Sequence, residues 1–330
     1  MSDIRKRQKV KEGAGQETKD EETNDVIQKP TVSSLRIFSR MAVIISLLTI
    51  VYFTSKDEKF KTFAKQSDAL PGKGLVIECS PEYWKEINQY SGCFPKECKR
   101  FVTDQIVSGP EVSKLLEIAK KGLKLGGSSG GASILDLHSG ALSMGQHFVN
   151  FYKSDQGKNV FKESDFNTYR YFCIYIITIP ISISFQIVKD KIKYAVAHHF
   201  GLNPDKIYLT HPTFFSQITS KSPVTVHDEY WHPHVDKVGY SDTYKSFHYT
   251  TLLYLNDYSI DFEGGRFVFI DEKFNRTVEP RKGRVSMFTS GKENLHYVEK
   301  VKSGTRYAMT ISFTCDSSYA IENPSANKYQ

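Results

Sequence analysis

Eight residues near the C-terminus restrict the fold more than any other stretch. In Arg306-Tyr-Ala-Met-Thr-Ile-Ser-Phe313, Tyr307, Met309, Ile311 and Phe313 alternate with Arg306, Ala308, Thr310 and Ser312. A period of two puts the first set on one face of a β-strand and the second on the other. The apolar face calls for a layer of helices. The polar face must line something, because a guanidinium buried in a sheet is costly unless an anion meets it. Short apolar or alternating runs at Ile207–Leu209, Thr213–Ile218, Tyr249–Leu255, Gly265–Ile270 and Arg284–Thr289 lead up to this strand, with turn residues between them. Their spacing predicts a β-sandwich or jelly roll preceded by helices, so the fold class is mainly β with flanking helices (α+β). An aromatic content of 13%, rich in Tyr and Phe, suits that packing.

Upstream, the chain divides by texture. Residues 1–34 are charged and lack apolar periodicity, which predicts a disordered tail. Residues 35–55 carry an apolar run of about 20 residues, close to a bilayer span. Arg36 and Arg40 precede it, and the charges of Lys56, Asp57, Glu58 and Lys59 nearly cancel after it. The positive-inside rule then predicts a single N-terminal transmembrane helix, a cytoplasmic tail and a lumenal remainder. That is a single-pass type II membrane protein of the endoplasmic reticulum or Golgi. A long charged leader and the lack of a small-residue cleavage site argue against a signal peptide. Residues 56–110 read as a lumenal stem carrying Cys79, Cys93 and Cys98, while Cys173 and Cys315 are isolated. The cluster is too sparse for zinc and predicts a disulfide in an oxidising compartment, with its pairing open. Asn275-Arg276-Thr277 is an N-glycosylation acceptor that fits a lumenal domain.

Residues 111–206 read as a helical support region. The amphipathic helix 111–125 is followed by Gly126-Gly-Ser-Ser-Gly-Gly131, which lacks the Lys-Ser/Thr of a phosphate loop and is expected to be a flexible surface loop. Joining Arg170 to Val188 gives one continuous helix at helical spacing. The stretch 171–187, centred on Pro180, is therefore expected to be an insertion into a helix, such as an unspliced intron or misassigned exon leaves. A buried strand is the alternative. The core is expected at 207–316 and a tail at 317–330. The net charge is +7, but much of the lysine and arginine lies in the N-terminal tail and in scattered loops, and no recognisable nucleic-acid module accompanies it, so nucleic acid is not an expected partner.

The chemistry concentrates in His232-Pro-His234-Val-Asp236. His234 and Asp236 are two apart and share a strand face, and His296 precedes the final strand. Two histidines and one carboxylate form a facial set that leaves positions open for a chelating co-substrate and O2 on Fe(II). His232 in place of His234 would misplace Asp236. Arg306 follows His296 by ten positions and can grip a carboxylate bidentately.

In order, His234-Val-Asp236, Tyr249–Asn256, Asp261–Phe269, Glu279–Phe288, His296 and Gly304–Phe313 resemble the prolyl-4-hydroxylase type of Fe(II)/2-oxoglutarate dioxygenase, and the last third is also similar to lysyl hydroxylases. The resemblance covers about residues 208–315. It implies a double-stranded β-helix (jelly roll), with His234, Asp236 and His296 as iron ligands. It implies Arg306 as the partner of the distal carboxylate of 2-oxoglutarate, a hydrogen bond to it from Tyr254, and assistance from Thr310. Asp228, Trp231 and His232 flank the triad and are expected to shape substrate entry. The implied activity is hydroxylation by a membrane-anchored oxygenase consuming O2 and 2-oxoglutarate, with L-ascorbate keeping iron reduced. A prolyl or lysyl side chain of a protein is the substrate class suggested by fold and compartment alone. The rival readings are a catalytically silent lumenal binding module of the same fold, and a metal-dependent hydrolase or cupin isomerase indifferent to 2-oxoglutarate.

Overall fold

The structure is a computed structural model that describes residues 34–54, 59–154, 160–161, 185–225, 227–237 and 247–322. The chain separates into two compact units, residues 1–57 and 58–330. In the first, α1 (Ser34–Thr54) has 21 residues, about 30 Å of helix, which is long and apolar enough to cross a membrane. None of the apolar window at Ser34–Val51 is buried. The expected tail lies outside the described residues. So do residues 171–184, which hold most of the expected insertion and Cys173, and residues 323–330 of the C-terminal tail.

The second unit is built on two sheets. In the smaller, β1 (Phe60–Ala64), β12 (Asn275–Val278), β11 (Phe267–Phe269) and β14 (His296–Val298) lie side by side in that order. The larger sheet has at its centre β13 (Val285–Thr289), β9 (Tyr249–Tyr254), β15 (Val301–Thr314) and β8 (Tyr208–Thr219). Beside β13 run β3 (Lys99–Thr103) and then β2 (Lys73–Val76). Beyond β8 come β5 (Ala132–Leu135), β6 (Ala141–Gly145) and β4 (Gly127–Ser128), with β7 (His147–Asn150) on β6 and β10 (Phe262–Gly264) on the early part of β15. This is the jelly-roll arrangement expected of the core.

Strand alternation sorts the side chains into two cores. Met309, Ile311 and Phe313 of β15, Tyr249 and Leu253 of β9, and Val285 and Met287 of β13 pack in one cluster with α2 (Pro81–Ile87), α3 (Gly109–Leu123) and α4 (Phe185–Phe200). Ala308, Leu252, Tyr254 and Phe288 point the other way and meet Phe267, Phe269, Val278 and Val298 of the smaller sheet. The period-two pattern of the sequence is thus the division between the helical layer and the space between the sheets. Local chemistry fixes the helices. Pro110 sits in the first turn of α3, where its missing N–H costs nothing, and the Glu111 carboxylate accepts from the Ser108 N–H at 2.8 Å and its hydroxyl at 2.7 Å. Glu111 also binds Lys191 of α4 at 2.6 Å, joining the two helices.

Five sequence expectations change here. Residues 59–110 are not a detached stem. β1 pairs in parallel with β12, β3 pairs with β13, and both strands bury side chains in the core. The 111–206 region adds strands as well as helices, with β5 docked on β8. Cys315 is not isolated: it bonds Cys93 across 222 residues, while Cys79 bonds Cys98. The runs at 207–209 and 213–218 form one strand, and Pro212, with no N–H to donate, sits where its register against β15 shifts. Residues 185–187, the end of the expected insertion, belong to the backbone of α4.

Candidate metal centre and carboxylate pocket

His296 opens β14, and His234 lies opposite it in an isolated antiparallel bridge. The bridge is closed by His234 N–H to His296 O at 2.9 Å and the reverse bond at 3.0 Å. Each imidazole has one nitrogen committed. Nδ1 of His234 lies 2.6 Å from the His232 carbonyl, and Nδ1 of His296 lies 2.8 Å from the Asn294 carbonyl. A carbonyl only accepts, so Nδ1 carries the proton and Nε2 presents a lone pair. Asp236 Oδ1 lies 3.7 Å from both Nε2 atoms, and the three ligand atoms lie within 4.8 Å of one another. Asp236 Oδ2 is held by the Thr250 hydroxyl at 2.5 Å, which in turn meets the Ser290 hydroxyl at 2.8 Å. Two lone pairs and a carboxylate oxygen therefore converge with no proton between them, an arrangement that a cation relieves. The residues fit a two-histidine, one-carboxylate metal site.

His296 is enclosed by Phe267, stacked at 4.8 Å, and by Phe288 at 5.2 Å. Burial among these rings pushes its pKa down to about 4, so the ring is neutral and ready to ligate. Burial lowers His138 to about 4 as well. These two set an acid limit. Between pH 6.5, the ordinary value for an unfolded histidine, and pH 4, the unfolded chain takes up protons that the folded one refuses. Their contribution to stability is complete above pH 6.5 and is lost as pH falls toward 4, by about 3 kcal/mol per histidine at the most. The melting temperature of metal-free protein is expected to drop steeply between pH 7 and pH 4.5; a flat profile would contradict the burial.

His234, Asp236 and His296 share a cavity of about 490 Å³ with Arg306 and Thr310. Among the described residues three arginines are almost wholly buried, and they differ in how they are partnered. Arg284 meets both oxygens of Asp104, at 2.8 and 3.0 Å, and three carbonyls besides. Arg100 is held by Asn294 at 2.7 Å, Asp271 at 2.8 Å and the Glu293 carbonyl at 3.1 Å. Arg306 donates from Nε to the Gly265 carbonyl at 2.9 Å, and its Nη2 is buried with no partner. Burial lowers its pKa to about 10, which still leaves a full charge at neutral pH. A buried guanidinium with a spare donor in a cavity is a receptor for an anion.

Tyr254 is placed behind this group. The guanidinium carbon lies 5.6 Å from its ring centroid, and its hydroxyl meets Ser286 Oγ at 3.3 Å. Trp231 and His232 line the cavity; Asp228 holds the loop before them, accepting from the N–H groups of Thr225 at 2.9 Å and Val224 at 3.1 Å. Asn275 begins β12 and is half-buried, so the glycosylation acceptor lies on a strand rather than in an open polar segment. Thr250 and Ser290, which steer Asp236, and Gly265, which steers Arg306, escaped sequence reasoning. The Thr250-Thr251 pair in the otherwise aromatic and aliphatic β9 run was the available signal for the first, with Thr250 on the same strand face as Leu252 and Tyr254.

The glycine-rich stretch is also different from expectation. A Cβ on Gly131 would come within 2.8 Å of the Thr219 carbonyl and 2.9 Å of the Glu229 carbonyl, and one on Gly130 within 2.5 Å of the Asp228 carboxyl carbon. Ala132 N–H bonds the Asp228 carbonyl at 2.7 Å. The glycines are a close-packed seat for the segment leading to His234. Gly131→Ala is expected to destabilise by about 1–3 kcal/mol, because backbone atoms cannot step aside cheaply. Gly109→Ala, with open space around it, is expected to be neutral or slightly stabilising. Urea titrations of the two variants would settle the contrast, and equal stabilities would refute it.

Comparison with known proteins agrees with this geometry. Residues 223–314 match the family model of the 2OG-Fe(II) oxygenase superfamily. The chain is 48% identical over 297 residues to 2-oxoglutarate and iron-dependent oxygenase domain-containing protein 3 of Xenopus tropicalis, covering 88% of this chain and 87% of that protein. It is 42% identical to human prolyl 3-hydroxylase 2 over 74 residues, 22% of this chain and 10% of that one. Among solved structures, a viral collagen prolyl hydroxylase from Paramecium bursaria Chlorella virus 1, in complex with 2-oxoglutarate, is 18% identical with a TM-score of 0.39, covering 68% of this chain and 96% of that one. The fold and site define a 2-oxoglutarate-dependent dioxygenase. The chain belongs to the family of 2-oxoglutarate and iron-dependent oxygenase domain-containing protein 3.

Proposed function

We propose that His234, Asp236 and His296 hold Fe(II), that Arg306 holds the distal carboxylate of 2-oxoglutarate, and that the enzyme hydroxylates a prolyl or lysyl side chain of a protein. The observation that carries this reading is Arg306: its spare buried donor shares one cavity with the three converging ligand atoms. Bound iron supplies the activation of O2, coupled to oxidative decarboxylation of 2-oxoglutarate. The protein does the rest. Thr310 lines the same cavity as Arg306, and Tyr254 backs the guanidinium so that its fork keeps one direction. Phe267 and Phe288 wrap His296 and keep water from that side of the site. Trp231, Tyr230 and Phe148 give the cavity an aromatic lining suited to an extended polypeptide. The match to prolyl 3-hydroxylase 2 supports the prolyl class.

In this reading α1 is a signal-anchor, the second unit is lumenal and Asn275 carries a glycan. The two disulfides support an oxidising compartment of the endoplasmic reticulum or Golgi. L-ascorbate serves to keep the iron reduced. The test is formation of succinate from 2-oxoglutarate by purified protein with Fe(II) and ascorbate, followed by mass spectrometry of proximity-captured lumenal proteins for a gain of one oxygen. Succinate that persists in His234→Ala, or turnover driven by zinc and indifferent to 2-oxoglutarate, would overturn the proposal.

A further inference from the structure

Residue 237 follows the carboxylate of the proposed metal centre, and its side chain reaches α2. Lys237 Nζ forms an ion pair with Glu86 Oε1 of α2, and the Lys237 N–H bonds the Ser290 carbonyl at 3.2 Å. The same Glu86 oxygen accepts from Nε2 of the buried His248 at 3.2 Å. The direction of that bond is fixed, because Nδ1 of His248 accepts from the Cys315 N–H at 3.0 Å, leaving the ring proton on Nε2. Burial alone would raise the Glu86 carboxyl, but the hydrogen bonds from His248 and Lys237 overcome it and hold it down at about 2. α2 itself is pinned to the sheet, with Tyr83 and Ile87 buried and the Tyr83 hydroxyl on the His248 carbonyl at 3.0 Å. Glu86 is thus a fixed anion on a fixed helix.

We propose that Glu86 is a positioning residue for the metal centre: by gripping Lys237 it sets the direction in which Asp236 presents its carboxylate. The proposal rests on the reading that His234, Asp236 and His296 bind the metal. Two restraints then act on the segment around Asp236 from outside the ligand set. Thr250, itself held by Ser290, holds the far carboxylate oxygen, and Glu86 holds the next residue along the chain. The first restraint comes from the sheet and the second from the segment before α3, outside the part that matches the family model.

The experiment is binding of Mn(II) alone to the metal-free full chain, read as the free-ion signal in electron paramagnetic resonance, with melting temperature measured in parallel. Glu86→Gln is expected to weaken Mn(II) binding roughly 10-fold, as loss of an outer-shell support does. Lys237→Met is expected to cost about as much, and the double variant no more than either single one, because both cut the same tether. Asp236→Ala serves as the reference. If it leaves Mn(II) binding intact, the metal-site reading itself fails. If it abolishes binding while Glu86→Gln and Lys237→Met bind as the natural protein does and only melt earlier, Glu86 is merely structural and the proposal is overturned. Losses that multiply in the double variant would overturn it too.

Discussion

Arg306→Met is expected to move affinity and stability in opposite directions. In the ligand-free protein Arg306 is a buried cation with an unused donor, so replacement by an apolar side chain of similar length removes a desolvation cost. Such replacements of buried charge are stabilising by about 1–4 kcal/mol. Loss of two charge-assisted hydrogen bonds to a carboxylate, about 1.5–3 kcal/mol each, raises the 2-oxoglutarate requirement by at least about 100-fold. Thermal melts with and without 2-oxoglutarate measure both effects. The natural protein should melt later when the ligand is added. Arg306→Met should melt late from the start and not respond. A variant that melts earlier and still responds would show that Arg306 is a structural cation, like Arg284.

Removing residues 1–110 is expected to abolish folding of the catalytic unit. Without β3 the edge of β13 is bare, and Arg284 loses Asp104, its carboxylate partner. Stranding a buried charge in this way costs about 3–5 kcal/mol, against a total of about 5–15 kcal/mol for a typical domain. The same cut removes Arg100, Val102 and Tyr83 from the core, and both disulfides. Near-ultraviolet circular dichroism and hydrogen exchange of a chain beginning at Glu111 test this, with a chain beginning at Glu58 as the reference. Native-like spectra for the shorter chain would contradict the sheet order described above.

The contrast explains what could be read from sequence. The Arg306–Phe313 alternation was legible because one face of that strand meets helices and the other a polar cavity, so each residue reports its own side. His234, Asp236 and His296, which the structure brings together, could be grouped from sequence because a metal-ligand pattern restricts residue type and because their order relative to Arg306 is specific. β1, β2 and β3 were not legible. They are four or five residues long and are set among turn formers such as Pro71 and Gly72 and the cysteines. Their partners, among them β12 and β13, lie far along the chain, and a local pattern carries no trace of a partner so distant. The glycines at 126–131 misled for a different reason. Lack of a side chain serves a mobile linker and a tight contact equally, and only the neighbours at Thr219 and Asp228 distinguish the two. Cys315 looked solitary because 222 residues separate it from Cys93.

That last bond has a consequence for biosynthesis. At about 5–20 residues per second, roughly 10–40 seconds pass on the ribosome between the emergence of Cys93 and that of Cys315. Cys79 and Cys98 are both available during that interval, and Cys173 passes before the true partner arrives. Cys79 and Cys98, only 19 residues apart, can pair with each other early. By taking each other they leave Cys93 without a nearby rival, so the short loop keeps the long one's place until the final strand is made.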